Sequence, residues 1–488
     1  MIESRLFRIP MIMTAVLIVL SAGSEISLGG GDEGTRSDPP MLFPHDPIEI
    51  SGDSDLPDET MHGSGTVNDP YVIRHLSINA TGSVGISISN VTEHLLIYQC
   101  LIYGGFFFKF TGFLVQNSSN VEIRGCAVYY SMMGVEVIDS EKITVSGCFV
   151  GASRNGINLT GNECIIKNTT VKYNSMYGFT IVGGGGNRIE NCLADGNTGV
   201  LGDSGGIRII DSNDNIIDRS VCSVNYGDGI GIMSSVNGET PPSGNLVIDC
   251  ESNFNVYGIF LGETGRNDVV NCTFRSNNVG VYTFHSRNSR VVDSLIEKNE
   301  YGVKIVLGGE MAMTNSSIIE NDDGVRIISS SGNTFTGNNI SGNGRMGIML
   351  TVEDNYGGTS SDNLFWENII DGNGPDQRQV IDNGKRTSWD DGSSGNYWGD
   401  HQSPDEDGDG VVDIPREIDG DDPRSDRFPL VGDFPDEDDD SGIVEEEDRE
   451  RENKGSSVWG SVLIMVVILI LLELAYLVVV KYGYINKK

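Results

Sequence analysis

One short stretch has the residue types and spacing of a cation site. Asp405, Asp407, Asp409 and Asp413 stand at the first, third, fifth and ninth places of a loop, with Gly410 at the sixth. That spacing folds carboxylates around calcium, the glycine permits the sharp turn, and the carbonyl of Val411 fills the seventh place. The twelfth place holds Arg416 where a full EF-hand-type loop has a bidentate Glu. Calcium is one reading of this loop, and a plain solvated acidic cap is the other.

A second set repeats every 22 residues: Phe260, Tyr282, Lys304 and Arg326, with Phe284 beside Tyr282 and His285 at its edge. Two aromatics followed by two cations suit a sugar ring and an anionic polysaccharide group. Outward β positions also carry such side chains for cross-strand packing. A third set is Arg208 with Asp203 and Asp211, and Asp214 and Asp218 nearby. It could serve polysaccharide chemistry as base and acids, but acidic residues beside Gly and Asn are ordinary turn chemistry. The cysteines show no CxxC spacing and the histidines no HxxxH, so a zinc site is not expected.

The elements that must position these residues come from a repeat. Gly starts a short apolar alternation at Gly85, Gly134, Gly156, Gly178, Gly206, Gly229, Gly258, Gly280, Gly302, Gly324 and Gly347. Asn255, Asn277, Asn299, Asn321 and Asn343 form a second column at the same interval. Asn tolerates left-handed turn angles, and stacked copies can bond as a ladder. A third column, counted back eight residues from the Gly, is Cys126, Cys148, Thr170, Cys250, Cys272, Ser294 and Ser316. Its members are small, as a tight interior requires, which reads the cysteines as core residues rather than disulfides.

Short alternating strands with Gly/Asn/Ser turns and no helical period exclude a helical repeat. The Leu pattern of leucine-rich repeats is missing, and the period is too short for a propeller blade. One coil cannot bury its own apolar side, so the coils must stack. The expected fold is all-β: a right-handed, single-stranded parallel β-helix solenoid of about twelve 22-residue coils, plus one C-terminal transmembrane helix.

The chain resembles the NosD-like, pectin-lyase-like right-handed β-helix proteins, in their archaeal cell-surface form. Gly63-Ser-Gly-Thr-Val-Asn-Asp-Pro-Tyr-Val-Ile73 is similar to their entry motif, and Ser394-Gly-Asn-Tyr-Trp-Gly-Asp400 to their exit motif. The resemblance implies the fold but only a range of activities. In β-helix lyases calcium and a basic residue act on a uronic acid, which is the role Arg208 would take. Neither the lyase nor the paired-Asp hydrolase motif set is present. The NosD name is tied to copper-enzyme maturation, yet the six His are scattered and the Met pairs read as core filler, so copper is not expected.

The ends set the compartment. Residues 1–24 read as a signal peptide, with Arg5 and Arg8 ahead of an apolar run. Residues 25–62 read as a linker, 63–398 as the β-helix and 399–432 as an Asp-rich cap. An acidic stalk follows at 433–457, then a membrane span at 458–480, interrupted by Glu473, and a cytoplasmic Lys-bearing tail at 481–488. The net charge of −37 excludes nucleic acid as a partner. Outside the cell, eight Asn-x-Ser/Thr sequons are candidate glycosylation sites. The function expected is a membrane-anchored surface protein that binds glycans or envelope components without catalysis. A polysaccharide lyase or hydrolase is the alternative, and a metalloenzyme-maturation accessory protein the second.

Overall fold

The structure is a computed structural model that describes residues 41–104, 110–198, 204–235, 241–351, 357–375, 379–401 and 404–432. Each coil contributes three short strands, as in Val121–Arg124, Ala127–Tyr129 and Met133–Glu141. The first two corners of this coil carry residues at positive φ, Gly125 (61°) and Tyr130 (63°). A left-handed residue turns the chain by a corner rather than a hairpin. The next strand therefore runs on and meets its equivalent one coil away. Ala127 pairs in parallel with both Leu101 and Phe149.

Three parallel sheets of 13, 14 and 15 strands form the walls of the solenoid. The 14-stranded sheet carries the repeat Gly. It has twelve strands from Val84–Ser89 to Met346–Thr351, matching the expected coil count. One of them, Thr111–Gln116, carries Gly112, a member that the column reading passes over. Inward positions such as Ile207, Ile209, Ile230, Ile232, Ile259 and Leu261 are fully buried. Each such side chain contributes about 1.5–3 kcal/mol. The Gly is needed for space: a Cβ at Gly156 would lie 2.2 Å from the Gly178 carbonyl oxygen and 2.3 Å from Val171 Cγ1.

The Asn column is a hydrogen-bonded ladder. The backbone N–H of each member donates to the Oδ1 of the next, from Asn255 to Asn277 (2.9 Å) and on to Asn343. It extends beyond the expected five, through Asn174, Asn197 and Asn225 before and Asn373 after. Insertions between coils had broken their spacing. The small-residue column is also a ladder, with one correction. The Cys148 amide donates to Thr169 Oγ1, whereas Thr170 pairs with Phe149 in the following strand. The next corner in that coil is one residue longer, so counting back eight from Gly178 falls one residue short. Cys192 and Ser220 also belong to it. All eight cysteines are free and buried.

The β-helix begins earlier than residue 63. Phe43–His45 and Ile48–Ile50 pair with Leu76–Ile78 and Ile86–Ile88, so these segments are strand rather than linker. Ile48 and Ile50 face the core, and Leu56 of the short helix Leu56–Glu59 closes the end. At the other end Phe335, Phe365 and Trp389 stack at 4.9 and 4.5 Å, and an antiparallel pair, Arg416–Ile418 with Arg424–Asp426, covers the last coil. Among the described residues no helix is long and apolar enough to cross a membrane. The signal peptide, the stalk at 433–457, the span at 458–480 and the tail lie outside the described residues.

Candidate functional site

The outer side of the Gly-bearing sheet presents the expected strip. Register places Phe260 beside Tyr282, Tyr282 beside Lys304 and Lys304 beside Arg326. All four are half-buried. The residue just before each repeat Gly makes a second outward column, in which Asp228 pairs with Tyr257, Val279 with Tyr301, and Tyr301 with Asp323.

The two columns interlock. Tyr257, Phe260 and Tyr282 form a triangle of rings, with centroids 4.9–5.7 Å apart. Phe284 lies 6.5 Å from Tyr282 and meets His285 edge-on at 4.5 Å. One coil further, cations gather on Tyr301. Lys304 Nζ lies 4.9 Å from its ring centroid, and the Arg326 and Arg345 guanidinium carbons lie at 5.6 and 5.7 Å. Asp323 faces Arg345 at 3.4 Å and Arg326 at 3.9 Å. Burial pushes the Asp323 carboxyl up, and the two arginines only partly offset it.

Arg208 lies in the same outward column, but its chemistry is already committed. Its guanidinium donates to the Tyr177 hydroxyl at 2.6 Å and to Asp228 at 3.1 Å, and sits over the Tyr177 ring. Asp211 accepts instead from the Ser235 amide (2.8 Å) and the Ser234 hydroxyl. Burial opposes ionisation of Asp211, yet these bonds hold its carboxyl below the usual range. Asp218 pairs with Arg188 and Arg219. Asp203 lies outside the described residues. Asp211 and Asp218 thus have partners other than Arg208, and Arg208 pairs with Asp228.

The Asp-rich loop does bring ligand atoms together. One oxygen each from Asp405, Asp407 and Asp409 lies within 4.8 Å of the others. Asp405 accepts the Gly408 and Gly410 amides, and Asp409 accepts that of Val411. Amide bonds, led by Gly410, hold the Asp405 carboxyl low. At Asp407 the Asp409 amide pulls down, but repulsion from Asp409 and Asp405 wins and the carboxyl is raised. Three carboxylates and their mutual repulsion fit a hard cation. The last two places fit less well. Asp413 turns to the Glu406 amide, and Arg416 is paired with Asp400.

Tyr257, Tyr301, Asp228, Asp323 and Arg345 are the members that sequence reasoning missed. Four of them immediately precede a repeat Gly, which was the available signal. Of the sequons, Asn79, Asn90, Asn117, Asn168, Asn271 and Asn315 are exposed, while Asn158 and Asn339 are half-buried.

Two family models match the chain. One describes a right handed beta helix region and matches residues 61–205 and 111–250. The other describes a periplasmic copper-binding protein, NosD, and matches residues 241–403. The fold is therefore that of a right-handed parallel β-helix protein. Within that class the two matches, spanning residues 61–403 between them, support a NosD-like β-helix family. No curated protein matches it. Among solved structures it is similar to the A-module of a mannuronan C-5 epimerase from Azotobacter vinelandii, at 15% identity and a TM-score of 0.45, over 65% of this chain and 87% of that one. It is also similar to a periplasmic alginate epimerase, at 14% identity and a TM-score of 0.44, over 70% and 83%.

The residues present do not fit copper. Copper takes thiolate, thioether or imidazole donors that converge. Here the thiols are buried and donate to backbone carbonyls, as Cys148 Sγ does to Ile123 (3.4 Å). Burial pushes the Cys192 thiol up to about 12. Met311 and Met313 are core residues. Among the described residues, the Asp405 group is the only cluster of three or more His, Cys, Asp or Glu with ligand geometry.

Proposed function

We propose that this protein holds a glycan against the outer face of its Gly-bearing sheet, without catalysis. The observation that carries the reading is the ring triangle of Tyr257, Phe260 and Tyr282, half-buried on a rigid sheet. Aromatic faces held still by packing stack on the apolar faces of sugars at little entropic cost. Support for a binding role is that Arg208 is neutralised by Asp228 and that Asp211 is held by a loop. The proposed setting is the outer side of a membrane, with residues 458–480 as anchor. The test is glycan-array binding by the full chain, followed by titration of a Phe260→Ala/Tyr282→Ala double variant. The variant is expected to lose at least roughly ten-fold in affinity while its thermal midpoint stays in place. Unchanged binding in the double variant would sink the reading.

Calcium is proposed for the Asp405–Asp413 loop, with Asp405, Asp407 and Asp409 as the carboxylate ligands. Millimolar calcium is expected to raise the thermal midpoint of the full chain, and an Asp407→Asn variant to lose that rise. No heat of binding and no shift would end the proposal.

A further inference from the structure

We propose that the cations gathered on Tyr301 form a subsite for an acidic group, a carboxylate or a sulfate, carried by the glycan that stacks on Phe260 and Tyr282. This rests on the glycan reading above and adds the class of sugar.

The charge pattern is the first argument. The chain has 70 acidic and 33 basic residues, yet Lys304, Arg326 and Arg345 all lie within 6 Å of one ring. Crowding like charges is unfavourable unless something opposes it. Asp323 faces both arginines, and Arg345 also meets Asp322 at the rim (3.7 Å). Lys304 makes no ion pair or hydrogen bond among the described residues. Its ammonium rests on the rings of Tyr301 and Tyr282. A ring attracts the charge but takes none of the three N–H donors. Those donors are half-buried and available to an anion, where a charge-assisted bond is stronger than in water.

Position is the second argument. Lys304 pairs directly with Tyr282, one coil along the rod. Neighbouring coils stand about 4.8 Å apart, so a sugar chain lying along the axis would bring its next ring toward the ammonium. An acidic substituent there meets Lys304 first and Arg326 next, while the preceding ring stays on the aromatic triangle.

The experiment titrates the full chain with a polyuronate, a sulfated glycan and a neutral glucan, each at low and high salt. The expected result is that an acidic glycan binds roughly ten-fold tighter than the neutral one at low salt, and that high salt removes the advantage. Lys304→Gln should bring the acidic glycan down to the neutral one's affinity, and Lys304→Arg should retain the preference. The stronger of the two acidic arms identifies carboxylate or sulfate as the group. Equal affinity for acidic and neutral glycans overturns this inference while leaving the stacking reading intact. Absence of binding to all three overturns both.

Discussion

Thr283 occupies an inward column whose neighbours in register are Leu261 and Ile305, with Ile232 and Ile327 beyond them. Its hydroxyl is buried and has no hydrogen-bond partner. A buried orphan hydroxyl costs about 1–3 kcal/mol, and Val has the same shape without it. Thr283→Val is therefore expected to stabilise the protein by about 1 kcal/mol, read as a higher denaturant midpoint. At this scale the sequence was informative wherever a residue followed the Gly. The position after a fixed Gly alternates inward and outward, so Phe260, Tyr282, Lys304 and Arg326 fell into one column. Tyr257 and Tyr301 precede the Gly, where the corner ends and the strand begins. Alternation alone does not say which way such a residue faces. Arg345 comes from a corner and reaches Tyr301 only through the coil stacking.

Among elements, the two ends differ most from the walls. The entry strands Phe43–His45 and Ile48–Ile50 carry no repeat Gly, and so they were read as linker. The exit is pinned by charge. Asp390 is buried and accepts from the Arg427 amide (3.1 Å) and Nε (3.0 Å). Burial works against its ionisation, but these bonds hold the carboxyl below its usual 3.8. A depressed native value means that the stabilisation is complete above the unfolded value and is lost as pH falls through the native one. Removing the guanidinium leaves burial to dominate. Arg427→Ala is thus expected to move the acid transition of the cap to higher pH, followed by the fluorescence of Trp389 and Trp398. The same Asp-rich segment advertised its carboxylate spacing plainly. Its departures at Asp413 and Arg416 depended on partners, the Glu406 amide and Asp400, that spacing does not reveal.

For the whole molecule, each coil touches mainly its two neighbours, so stability should add coil by coil. Deleting residues 277–298 joins Ser276 to Asn299 at equivalent ladder positions. The shortened chain is expected to fold with native-like β signal and to be about 4.8 Å shorter by small-angle scattering. Loss of cooperative folding would contradict that picture. The period and the coil count were legible because stacking forces the same residue type onto the same spot. The insertions hid Asn174, Asn197 and Asn225 by changing the count without changing the contact. The ladders have one more property. In the run Asn338, Asn368, Asn396, each backbone N–H donates to the next member's side chain, and the last gives its N–H to Asp426 (2.7 Å), while the side-chain amides of Asn338 and Asn368 reach both forward to the next Oδ1 and back to the Met313 and Phe335 carbonyls. Aligned amides add their dipoles as they do along an α-helix. The backbone N–H groups of this ladder therefore all point toward the exit, and the buried Asp426 carboxyl stands where the row ends to take the last of them.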